Sequence, residues 1–480
     1  MKTSTLAIGA LTLGSLCLSG CTLGPDYARP AVPSPLAWKE AGPAGATTAP
    51  APGLPTAWWE IFGDVELNRI ATQVVAANHD LQRAAARVDE ARALARLSAG
   101  ELAPNLSASA ASSRFRTSEN REPRVPGATA YDHAARLDLG YEIDFWGRVR
   151  RANEAALAEA AAVADDWHTA RLTLTAEAAR HYFHVRTLDA ERAVIEATLA
   201  LRRDALALQD TRARAGLIDE ADVARARTEL ANVEAELHAL ARSRARSEHA
   251  LAILAGQPPA EFALAPRPAP SPVPGIPAGL PATLLQRRPD LAAAEHQLAA
   301  ACARIGVAKA DFFPRLSLTG GAGLASAELG SLLEGGSRVW SFGPSLSVPL
   351  FDGGRNRANL AATEARYAQA TATYRAAVLR AFGEVEDALS DLAALAAQAA
   401  AIDRALAAAR DTATLARERH LRGLTSYLEV VDAERGVLQA GRAHAQLRGQ
   451  RTLSTILLAK SLGGGWQDTG RHSAPALAVR

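Results

Sequence analysis

The sequence predicts a mainly α-helical chain with a membrane β-barrel portion, built from two tandem copies of a long-helix hairpin that each carry a pair of strands. Three observations carry this expectation. A set of motifs recurs in the same order at an offset of 207 to 210 residues. The stretch from Arg148 to Ala215 contains neither Gly nor Pro between its ends. Residues 136–145 alternate strictly between apolar and polar or glycine positions. Composition points the same way, because alanine and leucine dominate while aromatics make up only 5%, a balance that favours long helices over an all-β core. The 53 basic and 51 acidic residues nearly cancel, so no nucleic-acid partner is implied.

The first twenty residues read as a signal peptide and are set aside from the fold. Lys2 supplies the positive start, Leu6 to Leu18 the apolar run, and Leu18-Ser19-Gly20-Cys21 a bacterial lipobox. Cys21 is the expected lipidation site, and a multiply acylated N-terminus holds stably to a membrane where a single chain holds weakly. Thr22 follows instead of Asp, which by similarity to lipoprotein sorting signals favours the outer membrane. Cys17 leaves with the signal and only Cys302 remains besides Cys21, so no disulfide framework is expected. No run of about twenty apolar residues follows Cys21, so a membrane would be crossed by strands.

The duplication is read from matched segments. Asp80-Leu81 precedes Pro104-Asn105-Leu106-Ser107 by the same 24 positions that separate Asp290-Leu291 from Pro314-Arg315-Leu316-Ser317. Phe145-Trp146-Gly147-Arg148 matches Phe351-Asp352-Gly353-Gly354-Arg355, and Ala215-Gly216-Leu217 matches Arg422-Gly423-Leu424. The expected divisions are a lipidated Pro-rich segment at 21–62, repeat 1 at 63–256 and a Pro-rich linker at 257–281, then repeat 2 at 282–462 and a disordered tail at 463–480. Each repeat opens with one helix (Asp64 to Ala103, and Pro281 to Phe313), followed by two strands, a very long helix, a glycine turn and a returning helix. At 1.5 Å per residue the long helices reach about 100 Å, so they must pack laterally on other long helices. Leu172, Ala176, Ala179, Phe183, Arg186 and Ala190 recur at helical spacing as such a seam requires. A free-standing coiled-coil rod satisfies the same helical signal.

The strands argue against a rod. Leu137, Leu139, Tyr141, Ile143 and Phe145 fall on one face, and Arg136, Asp138, Glu142 and Asp144 on the other. This is the length and pattern of a transmembrane strand with lipid outside and a wet lumen inside. The second copy alternates Leu346, Val348 and Leu350 with Ser345, Ser347 and Pro349. The first strands of each pair are placed at Leu106 to Phe115 and Leu316 to Leu324, with external loops at Arg116 to Asp132 and Ser326 to Ser337. Four strands cannot close in lipid, where every backbone group needs a partner and closure takes at least about eight. Sharing between subunits is therefore expected, and three protomers would give twelve strands.

The whole set resembles the outer-membrane factors of TolC/OprM type, in the lipoprotein branch called NodT-like. The resemblance rests on the lipobox, Gly24-Pro25-Asp26-Tyr27 with Arg29-Pro30, Trp58-Trp59 with Phe62, and Tyr141 through Arg148. It rests further on both glycine turns and on Leu428-Glu429-Val430-Val431-Asp432-Ala433-Glu434-Arg435. It implies a homotrimer with a twelve-stranded barrel in outer-membrane lipid and a long periplasmic α-barrel. It further implies that the chain serves a periplasmic membrane-fusion adaptor and an RND-type inner-membrane transporter as the passive exit of an efflux system. By resemblance, the adaptor docks at the turns, around Gly216, Leu217 and Asp222 and around Gly423 and Leu424. The duct closes at Leu428, Glu429 and Asp432, where three converging carboxylates repel one another unless protonated, hydrated or bound to cations. His420 and Thr425 stand where relatives carry an aromatic and an arginine that brace the closed state.

No catalytic residue, cofactor or metal site is expected. His181-x-x-His184 lacks an identifiable third ligand, and Gly320-Gly321-Ala322-Gly323 is followed by no Lys-Ser/Thr of a phosphate loop. Two alternatives share the signals. The duct could serve type I secretion or metal export, or the chain could be a structural coiled-coil lipoprotein without a pore.

Overall fold

The computed structural model describes residues 22–40, 53–120, 127, 129–267, 273–279 and 281–467. Cys21, the expected anchor, lies outside the described residues.

The two repeats fold alike. Repeat 1 runs α1 (Val65–Ala77), α2 (His79–Gly100), β1 (Asn105–Arg116), β2 (Thr129–Ile143), α3 (Arg148–Arg214) and α4 (Glu220–Leu254). Repeat 2 runs α5 (Pro281–Leu284), α6 (Pro289–Ala310), β3 (Arg315–Ser326), β4 (Arg338–Ser347), α7 (Arg355–Leu421) and α8 (Tyr427–Ser461). The long helices α3 and α7 are both 67 residues, and the returning helices α4 and α8 are both 35 residues. Helix α7 passes through Gly383 without a break.

The opening helix of each repeat is two helices, where one was expected. Asn78 leaves helical geometry at φ −66°, ψ 124°, and its side chain accepts from the Leu81 N–H at 3.0 Å, capping a new helix. In repeat 2, Pro289 starts α6 and forces Arg288 out of the helical region. The tail expected to be disordered is packed over residues 463–467, where Gly464 lies against Leu172 and Trp58. Pro281, which the sequence placed both at the end of the linker and at the start of the opening helix, begins α5. One 18-residue window of α7 reaches a mean hydropathy of 1.3, so by composition a helix could cross a bilayer after all. That apolarity comes from the alanine-rich stretch around 393–401, in the middle of a helix far longer than a bilayer is thick.

Midway along the helices, Trp58, Trp59 and Phe62 fill the space between α1, α3 and α8, with Phe62 4.9 Å from Phe183. Leu67, Ile70, Val74 and Tyr182 complete this cluster, each 0% exposed, and each large apolar side chain so buried contributes about 1.5–3 kcal/mol. A second cluster joins Trp38, Leu291 and Leu298 to Tyr374, Val378, Phe382 and Val385. Helices α3 and α8 approach so closely that a Cβ on Gly449 would collide with Thr187, and one on Gly441 would meet Val194 at 3.0 Å.

The four strands form one antiparallel sheet in the order β1-β2-β3-β4. Its register sorts the side chains into two faces. Leu106, Leu139, Gly320 and Phe342 align across all four strands, as do Ala108, Leu137, Ala322 and Trp340. The opposite face carries Ser107, Asp138, Gly321 and Ser341. Strand β4 ends at Ser347, so Val348 and Leu350, expected within it, lie beyond it. Strands β1 and β2 extend to Arg116 and Thr129, shortening the loop expected from Arg116 to Asp132. Among the described residues neither edge strand has a further partner, and the apolar face is open, with Trp340 81%, Phe342 66% and Leu346 69% exposed.

Candidate functional site

Two regions hold the residues singled out by sequence: the polar face of the sheet and the turns at the far end of the helices.

On the sheet, Arg136 and Asp138 share the polar face with Ser107, Ser109, Ser317, Thr319 and Ser341. Glu142 lies at the root of that face, where Arg148 donates to it from Nε at 2.8 Å and from Nη2 at 2.7 Å. Asp144 departs from expectation. The strand stops at Ile143, and the Asp144 carboxylate accepts the Val149 and Arg150 backbone N–H groups at 3.1 and 2.8 Å. It caps α3 because Gly147, the helix's own cap residue at φ 78°, has no side chain to do so. Asp144 joins strand to helix and does not continue the strand's alternation.

At the far end the two turns are copies in three dimensions. Gly216 (φ 71°) and Gly423 (φ 74°) occupy the left-handed region. Leu217 N–H donates to Arg212 O at 3.0 Å and Leu424 N–H to Arg419 O at 2.9 Å. This closure satisfies the last carbonyls of each long helix and needs glycine at the reversal. Leu217 and Leu424 project into solvent at 73% and 66% exposure. Asp222 sits in the first turn of α4 and accepts from Arg225 at 3.1 Å, a position that suits the positive end of that helix.

Just past the second turn, α8 divides into two sides. Tyr427, Val430, Val431 and Glu434 face the neighbouring helices and are buried, while Leu428, Glu429 and Asp432 are exposed. Among the described residues, Asp432 pairs with Arg435 on the next turn at 3.5 Å.

Beneath this exposed side lies a network that sequence reading missed. Arg202 on α3 is 1% exposed and pairs with Glu434 at 2.9 Å and with Glu229 at 3.6 Å. Arg417 reaches Glu434 at 2.9 Å, and Arg435 holds Glu229 from Nε at 3.1 Å. That bond to Glu229 raises the Arg435 guanidinium above its usual value, and burial raises the Tyr427 phenol beside Arg202. The signal was present. Arg202 continues the stripe Ile195–Leu199 at helical spacing, and a charge on an apolar stripe calls for a buried partner.

His420 and Thr425 are linked. Arg212 Nη1 donates to His420 Nε2 at 2.8 Å, and His420 Nδ1 lies 3.0 Å from Thr425 O. Arginine can only donate, so Nε2 accepts and Nδ1 carries the proton given to Thr425. His420 thus ties the first hairpin to the turn of the second.

Long helical hairpins with paired turns, a sorted strand sheet and a doubled plan have known counterparts. The family model described as "Outer membrane efflux protein" matches twice, over residues 70–257 and 280–464. The chain belongs to the outer membrane efflux protein family. The toluene efflux pump outer membrane protein TtgI of Pseudomonas putida is 36% identical over 470 residues, covering 97% of this chain and 99% of that protein. The cation efflux system protein CusC of Escherichia coli is 32% identical over 458 residues, covering 94% and 97%. Among solved structures, the outer-membrane channel OprN superposes with a TM-score of 0.86 at 32% identity, covering 93% of this chain and all of that one. Like these, the protein is an outer-membrane channel component of an efflux system, with a long periplasmic helical extension.

Proposed function

We propose that the chain is one protomer of a homotrimeric, passive exit duct, lipid-anchored through Cys21, that carries small toxic compounds or drugs out of the cell. The observation that carries this reading is the sheet: four strands with one open apolar face, one polar face and two unpaired edges. Closure without edges in lipid needs strands from further copies, and three copies supply twelve. The polar face then lines a lumen with Arg136 and Asp138. The cargo reading is supported by the solvent-pump relatives at 36% identity.

The turns form the periplasmic end. The exposed Leu217 and Leu424, backed by Gly216 and Gly423, offer apolar contacts that a helical hairpin of a periplasmic adaptor would cover, joining the duct to an RND-type transporter. Leu428, Glu429 and Asp432 form the gate. They share the side of α8 that the chain leaves open, and three copies around an axis would place a carboxylate ring over an apolar one, favouring cations. No catalytic step is assigned to the chain. The test is reconstitution of the purified, acylated protein in planar bilayers: step-like conductance from trimers supports the duct. A protein that binds membranes without conducting overturns it in favour of a structural lipoprotein.

A further inference from the structure

The open face of the sheet is apolar only up to a definite height. At about 3.4 Å per residue and a tilt near 40°, an apolar membrane band about 25 Å tall takes about ten residues of a strand. Counted from Ile143 at the helical end of β2, ten residues end at Ala134. Within that span the face carries Ile143, Tyr141, Leu139, Leu137 and Ala135 on β2, and Leu106, Ala108 and Ala110 on β1, with no charge.

Beyond it the same face changes character. The next register pairs are Ser112 with His133, Arg114 with Tyr131, and Arg116 with Thr129. The Arg114 guanidinium carbon lies 5.3 Å over the Tyr131 ring, and the Tyr131 and His133 rings stack at 6.0 Å. Ser112 Oγ lies 2.8 Å from His133 Nδ1, which fixes the imidazole against β1. Among the described residues, Arg114 has no ion pair with a carboxylate, and Arg116 has one, Glu119, at 3.7 Å. Asp132 alternates to the opposite, luminal face with its register partner Ser113. The result is an exposed cationic step on the outward side of the barrel, one residue pair above the apolar band, with Glu119 offsetting Arg116 and no carboxylate among the described residues paired with Arg114.

We propose that this step is a binding site for the phosphate groups of a phosphorylated glycolipid in the outer leaflet. The acyl chains lie on Leu137, Leu139 and the alanines of β1, and the phosphates meet Arg114 and Arg116. Guanidinium groups suit this task because their paired N–H donors match two phosphate oxygens at once. Tyr131 holds Arg114 in place by its ring face and sits where amphipathic aromatics favour the membrane boundary. The inference rests on the outward orientation of the apolar face and is independent of the gate.

The test uses the full-length trimer in detergent with a chelator present, so that no divalent cation bridges phosphate to Glu119. Retention of bis-phosphorylated lipid A and of its dephosphorylated form is read by native mass spectrometry, with inorganic phosphate as competitor. Wild type is expected to prefer the phosphorylated lipid about tenfold, and R114Q/R116Q to lose that preference while keeping wild-type conductance. Equal retention of the two lipids by wild type, or an unchanged preference in the double variant, overturns the site. Displacement of the lipid by millimolar inorganic phosphate would reassign it to free phosphate and also overturn the lipid. The wild-type comparison decides the matter even if the double variant fails to trimerise.

Discussion

Arg212 on α3 donates a hydrogen bond across 2.8 Å to His420 at the end of α7, and the other imidazole nitrogen is spent on Thr425 O. One side chain of the second repeat is therefore held from both sides, by the first repeat's helix and by its own turn. Two ion pairs stand behind it between the same hairpins, Arg202 with Glu434 and Arg435 with Glu229. The end of the duct is thus fastened by a surface link above a buried one, and the two are expected to respond differently to substitution.

Removal of the surface link is expected to loosen the tip without unfolding it. Arg212→Ala and His420→Ala should each raise uptake of vancomycin in cells carrying the variant. The double variant should match the worse single one, since both break the same bond. Strictly additive increases would show that the two residues act separately.

The buried link carries more stability. Glu434→Ala leaves Arg202, 1% exposed, with the more distant Glu229 as its remaining carboxylate partner, and removal of one partner of such a pair costs about 3–5 kcal/mol. Thermal melting of the protein and limited proteolysis at the turns should both report this, with Glu434→Gln intermediate. A variant that melts like wild type would mean that water reaches Arg202.

Acid is expected to weaken the middle of α3. Burial, then the nearby Arg180 charge, holds His181 and His184 below the ordinary imidazole value, with Glu177 opposing this at His181. Folded-state values below unfolded ones mean that the unfolded chain takes up more protons as pH falls. This stability is complete above about 6.5, the unfolded value, and is lost as pH drops through the lowered folded values. Melting temperature measured from pH 8 to pH 5 should fall below pH 6.5, and the slope should flatten in His181→Gln/His184→Gln.

The close approach of α8 to α3 depends on the absence of a side chain at Gly449. Gly449→Val drives a branched side chain against Thr187 and is expected to cost about 1–3 kcal/mol by overpacking. Thr187→Ala, read in the same melting assay, should recover part of the loss.

The sequence disclosed the repetitive parts well and the long-range parts poorly. The 67-residue helices were legible because Arg148 to Arg214 offers no breaker and Gly147 and Gly216 mark both ends. Strand β2 was legible because alternation depends only on local order. The break at Asn78 was missed because one asparagine that caps its own following turn interrupts an otherwise continuous helical pattern. Asp144 was misread because it continues the alternation in sequence, while the chain has already turned to start α3. The Arg202 network joins α3, α4, α7 and α8, and no local pattern states which distant charges meet. His420 is similar: only the packing of α3 against the second turn reveals that Arg212 is its partner.

The exposed carboxylate of Asp432 is central to a duct that closes at this end, and single-channel recording across planar bilayers tests the gate most directly. The wild-type channel is expected to conduct in small steps with cation preference, and Asp432→Ala to conduct in clearly larger steps with that preference reduced. Identical conductance and selectivity in the two proteins would contradict a gate at this position.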